Sequence, residues 1–421
     1  MLIAGDSIYT FRSILLYLGL FFISFLLFST SDELRKQNSK INRSAVFPGI
    51  FSGIAIIAIS LFAAFRADTV GVDTLVYPNQ FLSCARSYPS FCEFLNDPVM
   101  TPGSEPLNAI LVWICSRLSY NKWPLLFFYQ LFSILPVYLA LQQFRDRLSP
   151  ALGMTVYLFV FFNNSLNMMR QSIACSFVLL SFAYLITERR FSVRFVISGI
   201  IAILFHKSGL YGIFLLLAVS FVANADKSLK KYLVYALIIA SPVLLNAAIS
   251  FLISKGLASQ RISDYADIFL YKTYNKDWFI NPFGMFSLSY LLVYGVVLLF
   301  PKIVSIIGIN KKSCTAIDGG AQSISRLSSY LWNINCSGFL LYVVLLFSFE
   351  TVYGIRFSIY FDYFFVLALP LACGMGQDRA KVFTLCCTLV FFWFIWIQVL
   401  GWSGSQTYYF NFETMPVGIV N

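Results

Sequence analysis

Unbroken apolar runs alternate with short polar connections along this chain. The runs recur at about the 20 residues that a helix needs to cross a hydrocarbon core of about 30 Å. They lack the period-two alternation of a transmembrane β-strand. Spans are predicted near 11–30, 45–65, 123–143, 151–164, 167–187, 192–205, 208–223, 232–253, 284–300, 329–348, 358–374 and 382–402. Twelve crossings put both ends of the chain on one side. The first run begins near Phe11 without a basic stretch before it or a cleavage site after it, the mark of a retained helix rather than a signal peptide. The expected fold is all-α and polytopic, a single integral membrane domain over residues 1–421, with outer loops at 66–122 and 254–283.

Three segments depart from this rhythm. Residues 106–118, "PLNAILVWICSRL", are apolar but too short to span, and counting them as a crossing would reverse every later loop. They read as an interfacial or re-entrant helix on the outer face, opened by Glu105-Pro106, an acid and a proline where helix N-termini favour both. The spans 151–164 and 192–205 are short as well, rising only about 21 Å each at about 1.5 Å per residue. Their outer ends therefore lie below the membrane surface, in a depression walled by longer helices. Those ends carry Asn163, Asn164, Asn167, Arg170 and Gln171 in one case and His206, Lys207, Ser208 and Gly209 in the other. Ionisable groups at such depth are expensive and usually functional.

Composition agrees with the pattern: 59% of the residues are hydrophobic and 12% charged, with a mean hydropathy of +0.76. The formal charge of +11 falls entirely on one set of connections: 31–44, 144–150, 188–191 running into Arg194, 224–231, 301–328 and 375–381. The positive-inside rule makes that side cytoplasmic and both termini periplasmic. Topology accounts for the whole excess, so the basic charge gives no reason to expect a nucleic-acid partner. Nine cysteines show no metal-ligand spacing. Cys84 and Cys92 share the first outer loop, where an oxidising periplasm permits a disulfide, a free pair being the alternative.

The outer face is where polar chemistry gathers. "FRADTVGVDTLVY" (65–77) follows a span directly and holds Arg66, Gly71, Asp73 and Tyr77. Arg170 and, opening a later span, Arg356 with Tyr360 bring two more arginines to that side, which carries no net positive excess. Guanidinium forks suit phosphate or carboxylate, with a structural salt bridge to an outer acid as the alternative. A ligand with an anionic head at the interface and a lipid-soluble tail fits this setting, and a polyprenyl diphosphate has both. If it carries a sugar, the diphosphate is a leaving group whose charge the arginines stabilise without metal or cofactor. The acceptor hydroxyl then needs a base: Asp73, which is ionised at neutral pH without tuning; His206, the chain's one histidine; or Glu105. The Tyr-rich loop 254–283, with Arg261 and Asp264, suits sugar rings or an interfacial aromatic belt equally.

Taken in order, Arg66, "VGVDTLVY", Glu105-Pro-Leu, Asn121, "NMMRQSIA" (167–174), "FHKSG" (205–209) and "RFSIY" (356–360) resemble the EpsG-like family of membrane polysaccharide polymerases, the Wzy-type O-antigen and exopolysaccharide enzymes. The likeness covers roughly residues 65 to 360; Val72 and Ser172 depart from it, and the loop 254–283 does not align. It implies a GT-C-like glycosyltransferase of the bacterial inner membrane, hexosyltransferase-type and metal-independent, acting in lipopolysaccharide or other polysaccharide biosynthesis. The growing glycan would leave undecaprenyl diphosphate for a new lipid-linked repeat unit on the periplasmic face. Arg66, Tyr77, Asn167, Arg170, Gln171, Lys207, Arg356 and Tyr360 would bind substrate, Arg66 facing diphosphate and Asp73 the acceptor. Implied partners are the undecaprenyl-diphosphate-linked oligosaccharide, membrane lipid and a chain-length regulator. A flippase for the same lipid and an O-antigen ligase are the rival readings. The first should carry polar residues at the midplane, and the second differs only in its acceptor.

Overall fold

A computed structural model describes residues 7–41, 46–98, 102–188, 191–223, 318–347, 351–374, 378–401 and 404–412, with isolated positions between 232 and 299. The expected spans 232–253 and 284–300 and the loop 254–283 lie outside the described residues. The first part of the chain forms α1 (Ser7–Ile41), α2 (Val46–Ala64), α3 (Val72–Ser87), α4 (Phe91–Leu95), α5 (Pro106–Leu118) and α6 (Trp123–Gln142). There follow α7 (Pro150–Val160), α8 (Phe162–Asn167), α9 (Met169–Thr187), α10 (Val193–Phe205) and α11 (Gly209–Ala223). After the undescribed stretch come α12 (Asp318–Phe347), α13 (Thr351–Asp362), α14 (Phe365–Cys373) and α15 (Arg379–Trp393), which runs into a π-helical turn, Phe394–Val399.

Among the described residues, six helical stretches are long and apolar enough to cross a membrane: those of α1, α2, α6 and α9, the stretch Arg356–Cys373, and Arg379–Val399. The expected span 151–164 divides into α7 and α8, and 192–205 becomes the 13-residue α10. Residues 106–118 form α5 with Glu105 at its N-cap and Pro106 in the first turn, where a missing N–H costs nothing.

Two compact units divide the described helices. One contains α1–α10, α15 and residues 404–412; the other contains α12 and α13, with the boundary inside α11 after Ile213. In the first unit, α9 packs against both α6 and α10, and α2 against α1 and α6. Burial follows that order: 72% of the apolar window of α9 is buried, against 28% for α1. The outward Phe11, Leu15, Phe22 and Leu26 of α1 suit lipid.

Because lipid tails are as apolar as leucine, helices in a membrane associate through close approach and interhelical hydrogen bonds. Both devices operate here. Ser176 of α9 donates to the Ser133 carbonyl of α6 at 2.6 Å, and Ser181 donates to Phe195 O of α10 at 3.2 Å. Asp32 of α1 accepts from the Ala151 N–H at 2.9 Å and from Ser149 Oγ at 3.3 Å, adding to the cap that Ser149 Oγ places on the Leu152 N–H in the first turn of α7.

The turn between α10 and α11 depends on Gly209. A Cβ there would lie 2.7 Å from both Ala202 C and Ala202 O, backbone atoms of the preceding helix. This approach folds "FHKSG" back on itself and fixes His206 at the end of α10. Gly209→Ala is expected to lose about 1–3 kcal/mol through overpacking. It should lower the melting temperature of the purified protein in detergent, and an unchanged transition would show that the turn yields without cost.

Candidate active site

Glu105 is the centre of the site. Its buried carboxylate receives an N–H of Arg170 on Oε2 and lies 3.0 Å from His206 Nδ1 on Oε1. The three groups come from three separate corners: the N-cap of α5, the first turn of α9 and the C-cap of α10. Burial alone would raise the Glu105 carboxyl, but the His206 ring and the Arg170 charge outweigh it and hold the group down at about 2. The carboxylate is therefore ionised throughout the physiological range. The Arg170 guanidinium also lies over two rings of α3, 5.6 Å from the Tyr77 centroid and 5.1 Å from that of Phe81. Tyr77 is 41% exposed, so part of an aromatic ring is open beside the cation. Behind the set, the buried Tyr129 donates to Asn108 Oδ1 at 2.7 Å.

Four candidates from the sequence thus meet: Glu105, Arg170, His206 and Tyr77. Lys207 is exposed beside His206. Asn167 closes the neighbouring corner, its Oδ1 accepting from the Asp73 backbone N–H at 2.8 Å in the first turn of α3. Gln171 is buried one residue beyond Arg170. Arg356 and Tyr360 belong to the second unit, on α13, with Arg356 exposed and Tyr360 buried.

Arg66 has a different setting from the one expected. It is 1% exposed, and its guanidinium donates to Ala63 O at 2.5 Å, Leu166 O at 2.9 Å and Thr74 Oγ1 at 3.2 Å. Burial pushes it down to about 10, which still leaves it cationic at neutral pH. As placed, Arg66 ties the end of α2 to the start of α3 and to the α8–α9 corner. Gly71 makes the turn between α2 and α3 at φ 89°, in the left-handed region that favours glycine. Its N–H donates to Gly404 O at 3.0 Å. Asp68 pairs with Lys122 at the same rim.

Asn163 is likewise engaged inside the protein. It accepts from Trp393 Nε1 at 3.0 Å and donates to Ser405 Oγ at 2.9 Å. Cys84 and Cys92 are both free thiols. Phe81 and Asn108 escaped the sequence reading, although Phe81 lies one helical turn from Tyr77 and Asn108 interrupts an apolar helix. Residues 404–412 left no signal at all. They run across the ends of α1 and α2: Ala67 N–H donates to Tyr409 O at 2.8 Å and Asn411 N–H to Phe65 O at 2.9 Å. Tyr17 donates to Ser405 O, and the Tyr408 N–H donates to Ser13 Oγ, both at 2.8 Å. This strap frames the Gly71 turn from outside.

The constellation can bind an anion at Arg170, present a ring face to a sugar, and offer an imidazole held by a carboxylate. In comparison with known proteins, residues 49–414 match the family model described as the EpsG family. No curated protein and no solved structure matches.

Proposed function

The chain belongs to the EpsG family, which makes it a glycosyltransferase-like membrane protein of polysaccharide biosynthesis, and from that premise we propose that it is a Wzy-type polymerase. It transfers the growing glycan from undecaprenyl diphosphate to a new lipid-linked repeat unit, at the periplasmic face of the bacterial inner membrane. The enzyme is hexosyltransferase-type, GT-C-like and independent of metal. The observation that carries this reading is the joining of Arg170 to Glu105 and His206 beside the open ring of Tyr77. A glycosyl transfer needs a cation for the departing diphosphate, a base for the acceptor hydroxyl and an apolar face for a sugar. All three lie within one cluster. Lys207 adds cationic charge for the lipid head, and Asp73 and Asn167 contact the sugars. Support for periplasmic termini comes from the meeting of Ser13 and Tyr408 at the end where α2 gives way to α3.

Deletion of the gene followed by electrophoresis of surface glycan tests the assignment. Loss of the polymerase is expected to leave acceptors carrying a single repeat unit. Absence of any transferred glycan with lipid-linked polymer still accumulating would instead identify a ligase. Absence of outward-facing lipid-linked units would identify a flippase.

A further inference from the structure

The geometry points to His206 as the general base of this transfer, with Glu105 as the residue that positions its ring. The inference rests on the polymerase reading and assigns a role that reading left open among three residues. Its starting point is the 3.0 Å separation of His206 Nδ1 from Glu105 Oε1. An ionised carboxylate at that distance repels a lone pair on Nδ1 and attracts a proton there, so it favours the Nδ1-protonated form of the ring. The carboxylate is ionised, held low by the ring and by Arg170, so the proton belongs to Nδ1. A neutral imidazole protonated on Nδ1 has its free lone pair on Nε2, across the ring from Glu105. The side chain is 29% exposed, so it is open to a substrate in a way the carboxylate, at 8%, is not.

Glu105 makes a poor base itself. One oxygen is held by Arg170 and the other lies 3.0 Å from a ring nitrogen, and an anion this strongly stabilised takes up a proton reluctantly. Asp73 occupies the first turn of α3, where its backbone N–H is fixed by Asn167. The charged groups about the His206 ring are Glu105, Arg170 through the shared carboxylate, and the adjacent Lys207.

In the transfer, the acceptor oxygen attacks the anomeric carbon of the growing glycan while His206 Nε2 takes its proton. The bond from that carbon to the diphosphate oxygen breaks, and its electron pair leaves on the lipid diphosphate beside Arg170. The imidazolium, stabilised by Glu105, then releases its proton to water. Glu105 thus sets base and leaving-group site one carboxylate apart, and its effect on the reaction is exerted through His206 and Arg170.

The chain contains one histidine, so its ring nitrogens can be observed without overlap. Full-length protein with ¹⁵N-labelled histidine and a histidine-free affinity tag, in lipid nanodiscs, is expected to show a protonated Nδ1 and an unprotonated Nε2 in the neutral form of the ring. Glu105→Gln should move the proton toward Nε2, a change that a merely structural carboxylate would not produce. With lipid-linked repeat units, His206→Ala should lose about 10²–10⁴-fold in kcat and recover part of it in added imidazole. Glu105→Gln should lower kcat more than it changes KM. An Nε2-protonated wild-type ring, or wild-type turnover by His206→Ala, overturns the assignment. Loss of turnover in Asp73→Asn with retention in His206→Ala would move the role to Asp73. If the wild-type protein makes no polymer from lipid-linked units, the polymerase reading fails with the base assignment, while the tautomer result still decides whether Glu105 positions the ring.

Discussion

Arg170→Ala is expected to abolish polymer formation and, unlike most changes to a ligand-binding arginine, to lower stability as well. Removing the guanidinium leaves Glu105 as a buried carboxylate facing only His206. Breaking a buried ion pair from one side typically costs about 3–5 kcal/mol, because the remaining charge has lost its compensation. A second change separates the two effects. Arg170→Ala combined with Glu105→Gln removes the stranded charge and should recover much of the melting temperature without restoring activity. Arg170→Lys should restore the charge but not the fork that can hold a carboxylate and a phosphate together. Thermal melting and in vitro polymerisation of the three purified variants check this. Full activity of Arg170→Ala at native stability would remove the residue from the site.

Arg66→Ala should have an effect of similar size by another route. Its loss strands the Ala63 and Leu166 carbonyls among buried groups and opens a cavity where three helix ends meet. Each orphaned buried polar group costs about 1–3 kcal/mol and the cavity adds to it. The expected outcome is a poorly accumulating protein with a lowered melting temperature, and Arg66→Lys should fare little better because one ammonium cannot reach all the acceptors. A diphosphate-binding Arg66 would behave differently, giving a normally folded but inactive alanine variant. Protein yield and melting temperature, measured before any assay of activity, distinguish the two.

The contrast between these arginines marks where the sequence could be read and where it could not. Both follow apolar runs and sit close to polar residues, and nothing in spacing separates a cation that holds backbone carbonyls from one that pairs with a carboxylate at an opening. Arg66 is inside because Ala63, Thr74 and Leu166 hold its guanidinium while its backbone pairs with Phe410, and pairing between segments about 340 residues apart leaves no periodic trace. Glu105 was visible as the acid before a helix-opening proline. Its joining of Arg170 to His206 was not, because that depends on the break between α8 and α9 and on the tight turn at Gly209. Helices themselves were the most legible feature, since a long apolar run admits few other structures in a membrane. Boundaries were poorer where runs were short, as in the division of 151–164 around Phe161.

The strap at 404–412 has a consequence for the order in which the protein is made. It is synthesised after every helix it touches, so α1, α2 and α3 enter the membrane with the Ala67 and Gly71 N–H groups still lacking Tyr409 O and Gly404 O. The Gly71 turn and the buried Arg66 beneath it are completed only when residues 404–412 return to the first two helices. Truncated chains, including reporter fusions that end within earlier loops, carry an unfinished rim even where their insertion is correct. Reporters inserted within an otherwise full-length chain preserve that last step.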